Sequence, residues 1–349
     1  MSLFFELLQV SLGTRERFSR VPSLPEWEAI YDEAERQAIT SLLFRGIERL
    51  PEEQLPPLEL KLQWIGDLQM DEATYRLHCK RASELTRRCR AVGFKSCVLK
   101  GVGMAQYYPE PSRRLCGDID LWVGGRRKDV MAWLRSEYEV ESVRWHHTDV
   151  QIFDDVETEI HFHPIWLYNP SRNWRLQRWF KKQKPVQMME REIGFGYPSV
   201  GFNAIYSLVH TFHHLIDEGV GLRHVVDYFC IVSALTKKNE VVSLLQRFGL
   251  MRFAAAMMYV LKEACGMPSE KFLCDPDVEA GRFLLEEIML AGNFGHFDAR
   301  TIRPENETFW QRNVRKFRRQ LRFVKYYPGE VLGAPVWKTW HKVWRMVNR

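Results

Sequence analysis

Two aspartates separated by a single isoleucine are the side chains that most clearly suggest chemistry. Asp118 and Asp120 lie in the stretch GDIDLWV (117–123), which is otherwise apolar. Alternate residues of a strand face the same side, so both carboxylates point one way while Ile119 and Leu121 bury the other face. Two carboxylates this close repel each other unless a cation lies between them. Hard divalent ions such as Mg²⁺, or alternatively Mn²⁺, prefer carboxylate oxygens and keep positions for substrate phosphates.

A third acid is offered by the segment TEIHFHP (158–164), where Glu159, His161 and His163 alternate onto one face. If this strand lies beside the aspartate strand, Glu159 joins the two aspartates. Two metal ions there would activate an attacking hydroxyl and stabilise a leaving pyrophosphate. The histidines then orient Glu159 or pack nearby. Zinc at these residues is the less favoured alternative, because no fourth ligand has suitable spacing.

The segment LKGVG (99–103) is typical of a turn that binds an anion. It places a glycine where a short strand ends and a helix begins, so backbone N–H groups point outward. Lys100 adds a cation, and Gly101 permits close approach of a ligand. Arg114 precedes the aspartates and is suited to neutralising phosphate charge.

The second half of the chain carries a helical histidine face and an arginine. His210, His213 and His214 share one face, and either line a cleft opposite the acids or pack between helices. Arg223 and Asp227 are spaced as an ion pair on the next helix.

These motifs resemble the family of uncharacterised bacterial nucleotidyltransferases, within the DNA polymerase β-like nucleotidyltransferase superfamily. The similarity covers roughly residues 35–300. It rests on a strand reading LKG, an arginine before GDIDL, a strand ending in acid–x–His, and a later GLR…D element. Here these are Leu99-Lys100-Gly101, Arg114 with Gly117–Leu121, Glu159-Ile160-His161, and Gly221-Leu222-Arg223 with Asp227.

The resemblance implies transfer of a nucleoside monophosphate from an NTP to an acceptor, with Mg²⁺. It implies that Asp118, Asp120 and Glu159 are catalytic and bind metal. Lys100, Gly101, Arg114 and Arg223 would bind nucleotide or phosphate. From the strand and helix faces described above, His161, His163, His210 and Asp227 are the candidate supporting residues. The acceptor class stays open: a small molecule, a sugar, a protein or RNA.

One departure keeps an alternative open. The superfamily has Gly-Ser in the phosphate turn, whereas this chain has Lys100-Gly101-Val102-Gly103. The grip on phosphate is then expected from Lys100, backbone amides or Arg114. The alternative is a degenerate nucleotide-binding or nucleic-acid-binding regulatory module of the same fold.

Composition narrows the class of protein. The 349 residues are 46% hydrophobic and 27% charged, as in globular proteins, and no apolar run is long enough to cross a membrane. The start, MSLFFELLQVSLG, predicts an amphipathic helix and not a signal peptide. Seven cysteines without a CxxC pair argue against disulfides and indicate a cytoplasmic location. The chain has no GxSxG, P-loop or GxGxxG motif, which argues against those enzyme classes.

The distribution of charge and the predicted helices and strands indicate how the chain is organised. The tail, 300–349, holds 13 Lys and Arg against three Glu, within a net charge of +6. It is either a solvated helical face or a nucleic-acid-binding surface, and it predicts two helices broken at Pro328 and Gly329. We expect an α+β fold with a small mixed or antiparallel sheet between helical regions. The expected domains are a helical region (1–93), an α/β core (94–168) and a C-terminal helical region (169–349).

Overall fold

The computed structural model describes residues 2–183, 193–301 and 306–348. In these ranges the fold is mostly helical with one mixed sheet, which confirms the expected α+β class. The helices are α1 (Leu3–Leu12), α2 (Leu24–Arg36), α3 (Thr40–Ile47), α4 (Leu58–Ala91), α5 (Gly101–Ala105), α6 (Arg127–Glu137), α7 (Pro170–Phe180), α8 (Val200–Asp217), α9 (Leu222–Ala234), α10 (Lys238–Phe248), α11 (Met251–Cys265), α12 (Val278–Ala291), α13 (Phe309–Leu321) and α14 (Pro328–Val347). The strands are β1 (Ser96–Val98), β2 (Ile119–Val123), β3 (Glu139–Val143), β4 (His147–Gln151) and β5 (Thr158–His161).

The long helix α4 delivers the chain to the sheet. It ends at Ala91, and Gly93 follows with a left-handed φ of +82°. The Gly93 N–H donates to the carbonyl of Arg90, as a C-terminal glycine cap requires. The predicted end of this helix at Gly93 is therefore confirmed to within two residues.

The sheet has the strand order β1-β2-β5-β4-β3. Strand β2 pairs antiparallel with β1 and parallel with β5, so it lies inside the sheet with neighbours on both sides. Asp120 lies directly opposite Glu159 in the parallel pair. The segment between these strands returns through α6, β3 and β4, and β4 pairs antiparallel with β5. The expected neighbourhood of the two acidic strands is thus present.

One face of β2 is packed into an apolar core. Ile119 and Leu121 are buried there with Val98 of β1, Ile160 of β5 and Leu134 of α6. Removing such side chains from water stabilises the sheet by roughly 1.5–3 kcal/mol each. Alternation then places Asp120 on the opposite face, which is turned away from this core.

The helices before and after the sheet share a second, larger core. Leu8 of α1, Trp27 of α2, Trp122 of β2 and Phe202 of α8 belong to the same buried cluster. Helix α1 also packs against α11, far along the sequence. The division into 1–93, 94–168 and 169–349 stays a proposal about how the chain is organised.

The basic tail folds into two helices, α13 and α14, and α14 begins at Pro328. Residues 302–305 and 349 of this tail lie outside the described residues. Many of its cations are paired with acids: Arg312 and Arg315 with Glu307, Arg319 and Arg322 with Asp298, Lys325 with Glu279, and Lys338 with Asp217. Nucleic-acid binding by this tail stays a prediction.

All seven cysteines are free thiols. Within the described ranges, no helix combines the length and the apolar character needed to cross a bilayer.

Candidate active site

A cavity of about 820 Å³ lies between the polar face of β2 and β5 and the helices α8, α9 and α14. Its walls include Asp118, Glu159, Lys100, Arg223 and Lys338. Eight of the chain's eleven histidines also line it. The volume lies within the range of pockets that hold cofactors and small-molecule substrates.

The three predicted carboxylates meet in this cavity. One oxygen each of Asp118, Asp120 and Glu159 lie within 4.8 Å of one another. The cause is local: Asp118, the residue before β2, and Asp120 within it face the same side, and the parallel register sets Glu159 beside Asp120. Oxygens this close fit a shared divalent cation, since hard cations bind several carboxylate oxygens at about 2.0–2.6 Å.

Asp120 is the most deeply buried of the three, with no exposed surface. Its Oδ1 accepts from the ammonium of Lys100 at 2.6 Å and contacts Nε2 of His161 at 2.9 Å. Burial opposes ionisation, but Lys100 and His161 outweigh it and hold the pKa of Asp120 well below its usual range. Its Oδ2 is buried without a hydrogen-bond partner among the described residues.

The other two carboxylates shift in opposite directions. The charge of Asp120, followed by burial, raises the pKa of Asp118. Burial also opposes ionisation of Glu159, but the hydrogen bond to His161 outweighs it and lowers the pKa. The raised pKa of Asp118 shows that its carboxylate is repelled by that of Asp120. A bound cation would reduce this repulsion.

His161 bridges two of the acids. Its Nε2 lies 2.9 Å from Asp120 Oδ1 and 3.2 Å from Glu159 Oε2. Burial opposes protonation, but these two contacts raise the pKa of His161 to about 9. His161 therefore contacts two of the acids, and its supporting role stays a prediction.

His163 is not brought to the acids. Strand β5 ends at His161, and the His163 ring stacks on Trp145 with centroids 4.0 Å apart. The alternation that put Glu159, His161 and His163 on one face fails here because the strand ends two residues too early.

The turn after β1 holds Lys100 over the carboxylates. Gly101 begins α5 with φ +51°, and a Cβ there would lie 3.1 Å from the carbonyl oxygen of Asp118. A Cβ on Gly103 would lie 2.2 Å from the carbonyl oxygen of Val98. Because backbone approaches so closely at both positions, larger residues would push the turn and Lys100 away from the site.

Arg114 is engaged by a buried partner. Its guanidinium donates twice to Asp227 at 2.8 Å, and the hydroxyl of Tyr108 donates to the same carboxylate at 2.7 Å. This bidentate pair ties the segment before β2 to α9. The expected ion pair between Arg223 and Asp227 is replaced by it.

Arg223 lines the cavity beside a strained loop. It donates to Leu115 O at 3.4 Å and Asn293 Oδ1 at 3.3 Å, and lies 5.3 Å from the ring centre of Phe294. Phe294 has φ +51°, which is unusual outside glycine. The next residue must be glycine, since a Cβ on Gly295 would lie 2.0 Å from the carbonyl oxygen of Glu218.

The helical histidines line the cavity, which favours the first of the two alternatives for them. His210 Nε2 lies 3.0 Å from His214 Nε2, and His214 Nδ1 lies 3.0 Å from Glu218. Burial lowers the pKa of His210 well below its usual value, so it is neutral at pH 7.

Several lining residues escaped sequence reasoning. His147 comes from β4, Tyr206 from α8, and Lys338 and His341 from α14. Asp149 of β4 lies behind His147 without lining the cavity. The alternation of polar and apolar residues within 138–166 was the available signal for β4. The sequence held no signal for the residues of α14, because only the tertiary fold brings this helix to the sheet.

Residues 23–266 match the model of a protein family described as uncharacterised nucleotidyltransferase. The chain belongs to this family. The matched region contains all three carboxylates of this nucleotidyltransferase, together with Lys100 and Arg223. Helices α13 and α14 lie beyond it, although both contribute side chains to the cavity of the enzyme.

Other comparisons add little. A search of curated proteins gave no match. Among solved structures, the nucleotidyltransferase is similar to the crystal structure of an antigenic nucleotidyltransferase-like protein from Paracoccidioides brasiliensis. The TM-score is 0.36 at 14% identity, covering 58% of this chain and 94% of that one. A likeness this distant carries no inference about the site.

Proposed function

We propose that this protein transfers a nucleoside monophosphate from an NTP to an acceptor, with divalent cations held by Asp118, Asp120 and Glu159. The observation that carries the proposal is the convergence of three carboxylate oxygens within 4.8 Å in a cavity of about 820 Å³. The buried, unpartnered Oδ2 of Asp120 gives the cation an oxygen ligand that no described residue uses.

The charges around the site support binding of a cation. The Lys100 ammonium interacts favourably with all three carboxylates, and these interactions outweigh burial and raise its pKa well above its usual value. The protein thus already places a positive charge among the acids. Bound Mg²⁺ or Mn²⁺ would supply Lewis-acid activation of the acceptor hydroxyl and neutralise charge on the α-phosphate and the leaving pyrophosphate.

The side chains then have distinct tasks. Lys100 exchanges Asp120 for the triphosphate when the nucleotide and its cations arrive. Arg223 provides a second cation in the cavity wall, next to the aromatic face of Phe294. Glu159 contacts His147 and His161 through its Oε2 atom. Its other oxygen, Oε1, then accepts the proton of the attacking hydroxyl. A bond forms from the acceptor oxygen to the α-phosphorus, and pyrophosphate leaves.

Transfer of this kind needs positioning and electrostatic stabilisation more than covalent chemistry. The buried Arg114–Asp227 pair contributes by fixing the chain before β2 to α9. We assign the acceptor to the class of hydroxyl compounds that reach an 820 Å³ cavity: a small molecule, a sugar, a protein side chain or an RNA end. We propose the cytoplasm as its compartment, in keeping with seven free thiols.

The test combines labelled-NTP transfer in a cell lysate with calorimetry of each NTP, with and without Mg²⁺. We expect a labelled acceptor and metal-dependent NTP binding, both lost in Asp118→Asn with Asp120→Asn. Asp154→Asn, an exposed carboxylate in the turn before β5, is the matched control.

Two results would contradict the proposal. NTP binding that is the same without a divalent cation would favour a nucleotide-binding module without turnover. Salt-sensitive RNA binding that the double substitution leaves untouched would favour a nucleic-acid-binding module.

A further inference from the structure

A second group of possible metal ligands surrounds the outer side of Glu159. Strand β4 pairs with β5 so that His147 lies opposite His161, and Asp149 lies opposite Glu159. His147 Nδ1 lies 3.2 Å from Glu159 Oε2, and His161 Nε2 lies 3.2 Å from the same oxygen. Ligand atoms of His147, Glu159 and His161 all lie within 4.8 Å of one another.

These separations fit a transition-metal ion. Zinc bound tetrahedrally at 2.0–2.2 Å has ligand atoms about 3.3–3.5 Å apart. The two contacts to Glu159 Oε2 are close to that spacing. Two imidazoles and one carboxylate are the ligand set of zinc sites that keep an open fourth position.

The environment of His147 points to a ligand independently of the spacing. Its side chain is nearly fully buried, with 3% of the residue exposed, and neither ring nitrogen has a hydrogen bond of good geometry among the described residues. Nevertheless Nδ1 faces Glu159, and Nε2 lies 3.1 Å from Asp149. A neutral imidazole has one donor and one acceptor nitrogen, so one of the two faces a carboxylate with its lone pair. A proton or a metal ion must therefore lie at that contact.

Asp149 supplies the outer support that metal-binding histidines commonly have. Its carboxylate faces the Nε2 of His147 and is itself held by the Ser142 hydroxyl and by Arg144 at 3.4 Å. A carboxylate behind a ligating histidine fixes the ring and increases its basicity.

We propose that His147, Glu159 and His161 bind a transition-metal ion of the Mn²⁺, Co²⁺ and Zn²⁺ class, with Glu159 shared with the carboxylate site. Imidazole nitrogens favour these ions over Mg²⁺, which takes oxygen ligands. The fourth position opens toward Asp120, whose Oδ1 lies 2.9 Å from His161 Nε2. Metal binding here is independent of whether the protein transfers nucleotides.

The test uses the full chain, stripped with a chelator and kept free of nucleotide. Co²⁺ is the probe, because a four-coordinate site gives strong visible absorption and a six-coordinate site gives weak absorption. We expect an intense band that saturates at one equivalent of Co²⁺ per chain and is displaced by Zn²⁺ but not by an equal concentration of Mg²⁺. This readout on the unaltered protein needs no variant.

Variants then locate the site. His147→Gln and His161→Gln should weaken Co²⁺ and Zn²⁺ binding at least a hundredfold, and Asp149→Asn about ten- to a hundredfold. Asp118→Asn should keep Co²⁺ binding, which separates this site from the three-carboxylate site. His163→Gln, stacked on Trp145 away from the acids, is the matched control.

Three outcomes overturn the proposal. They are a weak six-coordinate spectrum, Co²⁺ binding no tighter than Mg²⁺ binding, and loss of Co²⁺ in His214→Gln in place of His147→Gln. The last would assign the metal to the histidines of α8. A melting curve of each variant tests whether it is folded, so that loss of metal binding is not confused with unfolding.

Discussion

The Lys100 ammonium lies 2.6 Å from Oδ1 of Asp120, and the two residues differ sharply in exposure. The aspartate side chain has no exposed surface, whereas 21% of the lysine side chain remains exposed. The lysine can therefore leave toward the cavity, but the carboxylate cannot follow it. Any replacement for the lysine must be another cation that enters from the cavity.

Lys100→Met should therefore destabilise the protein and make its stability depend on Mg²⁺. Removing one partner of a buried pair leaves an uncompensated charge, at a cost of about 3 kcal/mol. Urea unfolding with and without MgCl₂ measures this. Mg²⁺ should restore part of the loss in the variant and change the unaltered protein less. Arg126→Met, from an exposed pair with Asp129, is the control. If Mg²⁺ had the same effect on the unaltered protein, Lys100→Met and Arg126→Met, a divalent cation would not take the place of the lysine.

Arg114→Ala and Asp227→Ala should each lower the free energy of unfolding by about 3–5 kcal/mol, because each leaves a buried charge unpaired. Both side chains are at most 10% exposed. The double substitution should cost less than the sum of the two, as expected for residues in direct contact. Arg114→Lys should not restore stability, since lysine cannot make the bidentate contact.

Denaturant unfolding of these four variants provides the measurement. An Arg114→Ala protein of unchanged stability with weakened NTP binding would show that this arginine serves the phosphate and not the fold.

Acid should destabilise the protein through His213. Burial lowers the pKa of His213 to about 4, below its unfolded value near 6.5. The unfolded chain therefore binds the proton first, so stability present above pH 6.5 is lost as the pH falls toward 4. The loss from one such group is about 3 kcal/mol. Asp217 faces His213 at 3.7 Å, but its pKa of about 2 places its own contribution below pH 4.

Free energies of unfolding at several pH values between 7 and 4 give the measurement. His213→Phe, which keeps an aromatic ring against Trp166, should flatten the dependence. His296→Gln, at an exposed position, should leave it as in the unaltered protein. A His213→Phe protein with the original slope would assign the acid sensitivity to other buried histidines.

Phe294→Gly should leave stability unchanged or raise it slightly, although a large aromatic side chain is lost. A non-glycine residue at positive φ costs about 1–3 kcal/mol, and glycine removes that cost. The same substitution should weaken NTP binding about fivefold, because it removes the ring that holds Arg223 in the cavity wall, and a cation–π contact contributes about 0.5–1 kcal/mol or more. Phe297→Gly, in the same loop without a positive φ, should lose stability and keep NTP affinity. A destabilised Phe294→Gly with normal affinity would mean that the ring serves packing alone.

The acidic centre was accessible from the sequence because its geometry is local. Asp118 and Asp120 face the same side because alternate residues of an extended chain do so. Glu159 of β5 is the third acid of the centre. Only one long-range assumption was needed, that β2 and β5 are neighbours. The parallel pairing of Asp120 with Glu159 meets it.

The remaining partners were beyond sequence reasoning for physical reasons. Arg114 finds Asp227 across 113 residues, and no periodicity connects the two. His147 reaches Glu159 because β4 pairs with β5 in a particular register, which alternation alone does not fix. His163 was placed with the acids by extending the alternation past His161, where β5 ends, and its ring stacks on Trp145 instead.

Helix α14 forms one wall of the cavity and is synthesised last, which affects the protein during translation. His341 of α14 accepts from the Trp145 backbone N–H, 196 residues earlier in the chain. At about 5–20 residues per second, translation of that interval takes roughly 10 to 40 s. Once β5 has been synthesised, early in that interval, the sheet and its acids exist without helix α14 for the remaining time. Nascent or C-terminally clipped molecules would therefore expose an open acidic basin, and the supply of free divalent ions during synthesis would decide how it is filled.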